Sequence, residues 1–108
     1  MASARFETES IIDKATFHAV STEAFGFYNG CGRNMDAWID CFASLRDEHG
    51  MTKFKLGPDE MLEIEVTDTE GFSSRTPDLL KDLVECTAAV NQLFTKDGEH
   101  PVISLVFI

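Results

Sequence analysis

Apolar residues recur at helical spacing in three segments of the chain, and at strand spacing or as unbroken runs in four others. Phe17, Val20, Ala24 and Phe25 stand at i, i+3, i+7 and i+8, which predicts an amphipathic helix of about three turns. Asp13 is placed to cap its start and Gly26 to end it. Met35, Trp38, Phe42 and Leu45 stand at i, i+3, i+7 and i+10 and predict a second helix over 35–46, closed by Glu48-His49-Gly50. The strongest helical pattern joins Leu79, Leu80, Leu83, Val84, Ala88, Val90, Leu93 and Phe94. Thr76 can cap that helix, Pro77 suits its first position, and 96–101 stops it. Leu62, Ile64 and Val66 alternate with Glu63 and Glu65 as in a half-buried strand. Residues 5–11 alternate more loosely, with Phe6, Thr8 and Ser10 against Glu7 and Glu9, and suggest a short opening strand. Residues 51–56 also alternate before the turn signal Gly57-Pro58-Asp59-Glu60. They read either as the first strand of a hairpin, adding an edge strand, or as a loop feeding the next strand. Residues 102–108 are nearly all apolar, the pattern of a central strand buried on both faces. Between these elements 68–75 is polar and turn-rich, with a short helical turn around Glu70-Gly71-Phe72.

The order is strand, helix, helix, strand, helix, strand. Strands separated by helices predict an α/β fold with a small, mainly parallel sheet packed against helices. At 108 residues, without repeats or a linker, the chain 1–108 is expected to be one domain.

Charge narrows the partners. The net charge is -10, with 19 acidic against 9 basic residues. Nucleic-acid binding needs a basic footprint, and anionic membrane surfaces would repel this chain. A basic protein is the natural complement, because opposite fields steer association. The three cysteines, Cys31, Cys41 and Cys86, are an odd number without a CxxC pair, which fits free thiols in a reducing compartment. Cys41 and Cys86 lie in apolar helical contexts and read as small core residues. The first residues lack the apolar stretch of a signal peptide, no run is long enough for a membrane helix, and the expected location is the cytoplasm.

Candidate chemistry concentrates at 28–42. Gly30 and Gly32 permit a sharply turning loop. Asn34 is a good N-cap for the helix that follows, and Asp36 falls in its first turn, where the helix dipole favours negative charge. Asp36 and Asp40 lie four apart on a face away from the apolar stripe, with Asp47 further along. Such a face is either solvation or a negative surface prepared for a cation. Helical phase sends Trp38 to the core and leaves Ile39 more exposed.

Gly32-Arg33-Asn34-Met35-Asp36-Ala37-Trp38-Ile39-Asp40-Cys41 resembles the signature of the barstar family of ribonuclease inhibitors. That pattern has an aromatic pair, a glycine, x-Asn-hydrophobe-Asp-Ala, two bulky residues, then Asp-Cys-hydrophobe. The resemblance implies a barstar-like three-stranded parallel sheet and an immunity-type inhibitor that plugs the active site of a small basic ribonuclease. It implies that Asp40 enters the phosphate-binding pocket of the nuclease and that Asp36 is the earlier aspartate of the interface. Gly32 and Asn34 match the loop that shapes the contact, and Ile39, the more exposed of the two bulky residues, is a further contact candidate. Physically, a carboxylate can replace a phosphate among Arg and Lys donors. Two departures stand out. Asn29-Gly30-Cys31 separates the aromatic pair Phe27-Tyr28 from Gly32, moving Tyr28 along the loop, and Arg33 puts a cation on the rim. Asp82 and Glu85 are candidates for the family's acidic contacts from the last helix.

The alternative reading is a non-inhibitory interaction module on the same scaffold that binds another basic protein. An enzyme is disfavoured. His18, His49 and His100 show no metal spacing, and no phosphate loop, nucleophile elbow or cofactor motif occurs. Asp36 and Asp40, on an exposed helix, lack the burial that tunes a catalytic acid. The pattern leaves the oligomeric state open.

Overall fold

The alternation at Leu62–Val66 marks the middle of the molecule. The computed structural model describes residues 2–27, 34–47 and 50–108. Three parallel strands, β1 (Ala2–Phe6), β2 (Leu62–Val66) and β3 (Ile103–Phe107), form one sheet in the order β1-β2-β3. Ala4 pairs with Ile64, which pairs with Leu105. Helices α1 (Lys14–Phe25) and α2 (Met35–Ala43) connect β1 to β2, and α3 (Thr69–Arg75) and α4 (Pro77–Thr95) connect β2 to β3. Both crossovers step the same way across the sheet, so right-handed connections put the helices on one face. Burial follows. Ala4, Phe6, Leu62, Ile64, Val66 and Ile103 are buried, whereas Ser3, Arg5, Ser104 and Val106 on the other face are exposed. The sheet is parallel yet solvated on one side, which is why its central strand alternates instead of being continuously apolar.

The fold is therefore the expected α/β arrangement, with corrections at three places and one open alternative decided. β1 occupies Ala2–Phe6, earlier than the expected 5–11. Past Phe6 the chain leaves the ladder because Thr8 bonds sideways to Thr67: its hydroxyl donates to Thr67 O (2.6 Å) and its amide to Thr67 Oγ1 (3.3 Å). β3 is an edge strand, not the central one, and its last residues are exposed. Of the two readings of residues 51–56 the loop holds: they form no strand and add no edge to the sheet. Their alternation is real burial, with Thr52 and Leu56 inside, but their amides go elsewhere, Lys53 N to Phe25 O (3.0 Å) and Leu56 N to Leu45 O (2.7 Å). Finally, α2 stops at Ala43, short of 46, as Ser44 Oγ turns back to donate to Cys41 O (2.8 Å).

The helices otherwise start and stop as their sequences dictate. Asp13 and Thr16 form a reciprocal capping box at the start of α1. Gly26 ends α1 with φ +65°, a left-handed conformation, and a Cβ there would lie 2.7 Å from Lys53 Cβ. Pro77 takes the first turn of α4, although the Thr76 hydroxyl lies near Phe72 O (3.3 Å) rather than capping α4.

Candidate interaction surface on the second helix

Position 34 sets the start of α2. Its Oδ1 accepts from Ala37 N (2.8 Å) and its carbonyl from Trp38 N (2.9 Å), so Asn34 acts as the expected N-cap. From there the helical phase divides α2 into two sides. Trp38, Cys41 and Phe42 are buried, with Leu45 just beyond the helix end, while Asp36 and Asp40 are exposed on the opposite side. Ile39 lies between, half-buried against the core. Neither aspartate is in an ion pair among the described residues.

The buried side is held by aromatic packing. Trp38 and Phe42 rings lie 4.5 Å apart, Phe42 and Phe25 4.9 Å, and Phe27 and Phe42 5.4 Å, all at steep or edge-on angles. Phe25 in turn stacks on Phe6 of β1 at 5.7 Å. Edge-to-face pairs of this kind are worth about 0.5–1.5 kcal/mol beyond area burial. Trp38 Nε1 donates to Ser21 Oγ (3.2 Å), a buried bond that fixes α2 against α1. Ser21 escaped the sequence reading, yet it had a signal: it sits four residues from both Phe17 and Phe25, a small polar group in the middle of an apolar stripe.

On its other flank α2 packs on α4. There burial pushes the Cys86 thiol pKa up, and the negative charges of Asp82, Glu85 and Asp36 raise it further. The shared effect places Asp36 in one negative field with Asp82 and Glu85, the two α4 carboxylates singled out in the sequence. Beyond the helix end, Arg46 gathers two loops. It donates to Gly57 O (3.1 Å), Glu60 O (3.2 Å) and His100 O (3.0 Å), and its Cζ lies 5.2 Å from the Phe94 ring centre. That cation is committed to the scaffold.

Tyr28, Gly32 and Arg33, also read as contact residues, lie outside the described residues, as do Gly30, Cys31 and His49. The expectation of free thiols is corrected at Cys41, which is disulfide-bonded; Cys86 is free and buried. Three cysteines are compatible with one pair and a free thiol as well as with three free thiols, so the count could not decide this. No cluster among the described residues could hold a metal ion, and no described helix is long and apolar enough to cross a membrane.

A family model described as Barstar (barnase inhibitor) matches residues 1–106. Comparison with curated proteins finds no match.

Proposed function

The chain belongs to the barstar family, and from that premise we propose that it is a protein inhibitor that blocks the active site of a small basic ribonuclease through α2. The observation that carries this reading is the pair Asp36 and Asp40, two exposed carboxylates without ion pairs among the described residues, on a helix whose other side is locked by Trp38 and Phe42. A rigid support means little conformational entropy is lost when the carboxylates are engaged. Asp40 occupies the phosphate-binding pocket of the nuclease and accepts charge-assisted hydrogen bonds from its cationic groups. Asp36 sits at the rim of the contact, with Asp82 and Glu85 adding negative potential from α4. Asn34 shapes the surface by capping α2, Ile39 contributes apolar contact, and Tyr28, Gly32 and Arg33 form the approach. The inhibitor site is contained in one domain, 1–108, and acts without a cofactor.

Inhibition assays and calorimetry against a panel of small basic ribonucleases test this. At least one enzyme should be inhibited, and Asp40→Ala should weaken its binding by about 2–5 kcal/mol, the range for truncating one member of a buried interfacial charge pair. The melting temperature should stay unchanged, since Asp40 touches solvent. Binding to a basic protein without loss of nuclease activity would instead identify a non-inhibitory module. An equal loss of folding stability in the variant would make Asp40 structural.

A further inference from the structure

The outer edge of β3 joins backbone hydrogen-bonding groups to apolar side chains. In a parallel ladder each residue turns both backbone polar groups to the same neighbour. Leu62 N donates to Val102 O (2.7 Å) and Ile108 N to Val66 O (2.9 Å), so Ser104, Val106 and Ile108 face β2, while Ile103, Leu105 and Phe107 face outward. Ile103 is already served. Asn91 of α4 accepts from the Val102 and Ile103 amides (both 2.9 Å) and donates to Ile103 O (3.0 Å). Past Asn91 no strand among the described residues covers Leu105 and Phe107. Val106, Phe107 and Ile108 are 37%, 46% and 60% exposed. Alongside, Leu80 and Val84 stand eleven and seven residues before Asn91, on the same stripe of α4, and Val84 is also exposed. Sheet edges are ordinarily protected by a charge, a proline or a bulge, and 102–108 contains neither a charged residue nor a proline.

We propose that two copies of this chain pair through β3, antiparallel about a two-fold axis at Val106, forming one continuous six-stranded sheet. A two-fold interface must be self-complementary, and this edge is. With the axis at Val106, Leu105 of one copy faces Phe107 of the second. Both outward-facing residues of each strand then exchange amide and carbonyl bonds. Val106 meets Val106 on the solvated face, and Ser104 meets Ile108. Every cross-strand pair of side chains is uncharged, so a chain of net charge -10 brings no like-charged side chains into direct opposition there. Leu80 and Val84 extend the apolar contact from α4. A second copy suits this edge better than a basic strand, which would find no side-chain carboxylate on Ser104, Leu105, Val106, Phe107 or Ile108.

Sedimentation velocity across a concentration series tests the pairing. A monomer–dimer equilibrium is expected, strengthened by added salt because the global repulsion is screened. Val106→Glu sets two like charges across the axis and should weaken association at least tenfold, with an unchanged circular dichroism spectrum. Phe107→Lys, at a second exposed position, should do the same. Hydrogen exchange supplies the register: the Leu105 and Phe107 amides should slow with increasing concentration, and those of Ser104 and Val106, already bonded to β2, should not. A monomer at every concentration and salt would overturn the proposal, as would a dimer indifferent to both substitutions.

Discussion

Thr87 buries its hydroxyl with no hydrogen-bond partner among the described residues. A buried donor left unpaired forfeits its hydration without return, at a cost of about 1–3 kcal/mol. Thr87→Val keeps the shape and removes the polar atom, so it should raise stability by about 1 kcal/mol, read as a higher urea midpoint at unchanged slope. A fall in stability would mean that the hydroxyl is paired in solution. Ser21 is the opposite case, a buried hydroxyl whose oxygen accepts from Trp38 Nε1. In the sequence the two residues look alike, each a small hydroxyl within an apolar helical stripe. Which one is satisfied depends on a residue seventeen positions away in the case of Ser21, and no periodicity carries that information. The exposure of Asp36 and Asp40 could be read because it follows from the phase of one helix alone.

At the level of elements, local chemistry explains where the sequence was informative. α1 begins at Asp13, whose carboxylate accepts from Thr16 N (2.9 Å) and Thr16 Oγ1 (2.8 Å), bonds that hold its pKa below the ordinary value. A carboxyl whose folded pKa is depressed stabilises the native state above its unfolded pKa, and that contribution disappears as pH falls through the folded value. The stability gap between the wild type and Asp13→Ala should therefore be full at neutral pH and shrink as the solution is acidified through and below the carboxylate range. Urea unfolding of both proteins across that range would measure it, and a gap that persisted in acid would show that charge plays no part in the cap. The cap of α1, the αL glycine after it and Pro77 of α4 are signals contained within a few residues. β3 carried no such local distinction. An apolar run is the same string of residues whether neighbours cover both sides or one, and only the order β1-β2-β3 decides. Residues 51–56 stayed open between strand and loop for a related reason: alternating burial marks a chain passing over a core, and a ladder needs a partner strand as well.

Across the whole molecule, charge and apolar surface are segregated. Asp36, Asp40, Asp82 and Glu85 are carried by α2 and the facing flank of α4, while Leu80, Val84 and the uncharged β3 edge follow the other flank. Salt should act on the two surfaces with opposite signs. Approach of a basic ribonuclease to a body of net charge -10 is electrostatically steered, so its association rate should fall steeply as ionic strength rises. Its dissociation rate should change much less, because desolvated pairs such as the one proposed for Asp40 are screened weakly. Self-association through β3 should strengthen over the same salt series. Stopped-flow association with the nuclease, run beside sedimentation of the chain alone, separates these effects. If self-association weakened with salt, attraction between opposite charges would be driving it, and the assignment of pairing to the uncharged β3 edge would be wrong. With opposite responses, two nuclease molecules should bind one dimer, since the α2 face stays open when the β3 edges meet.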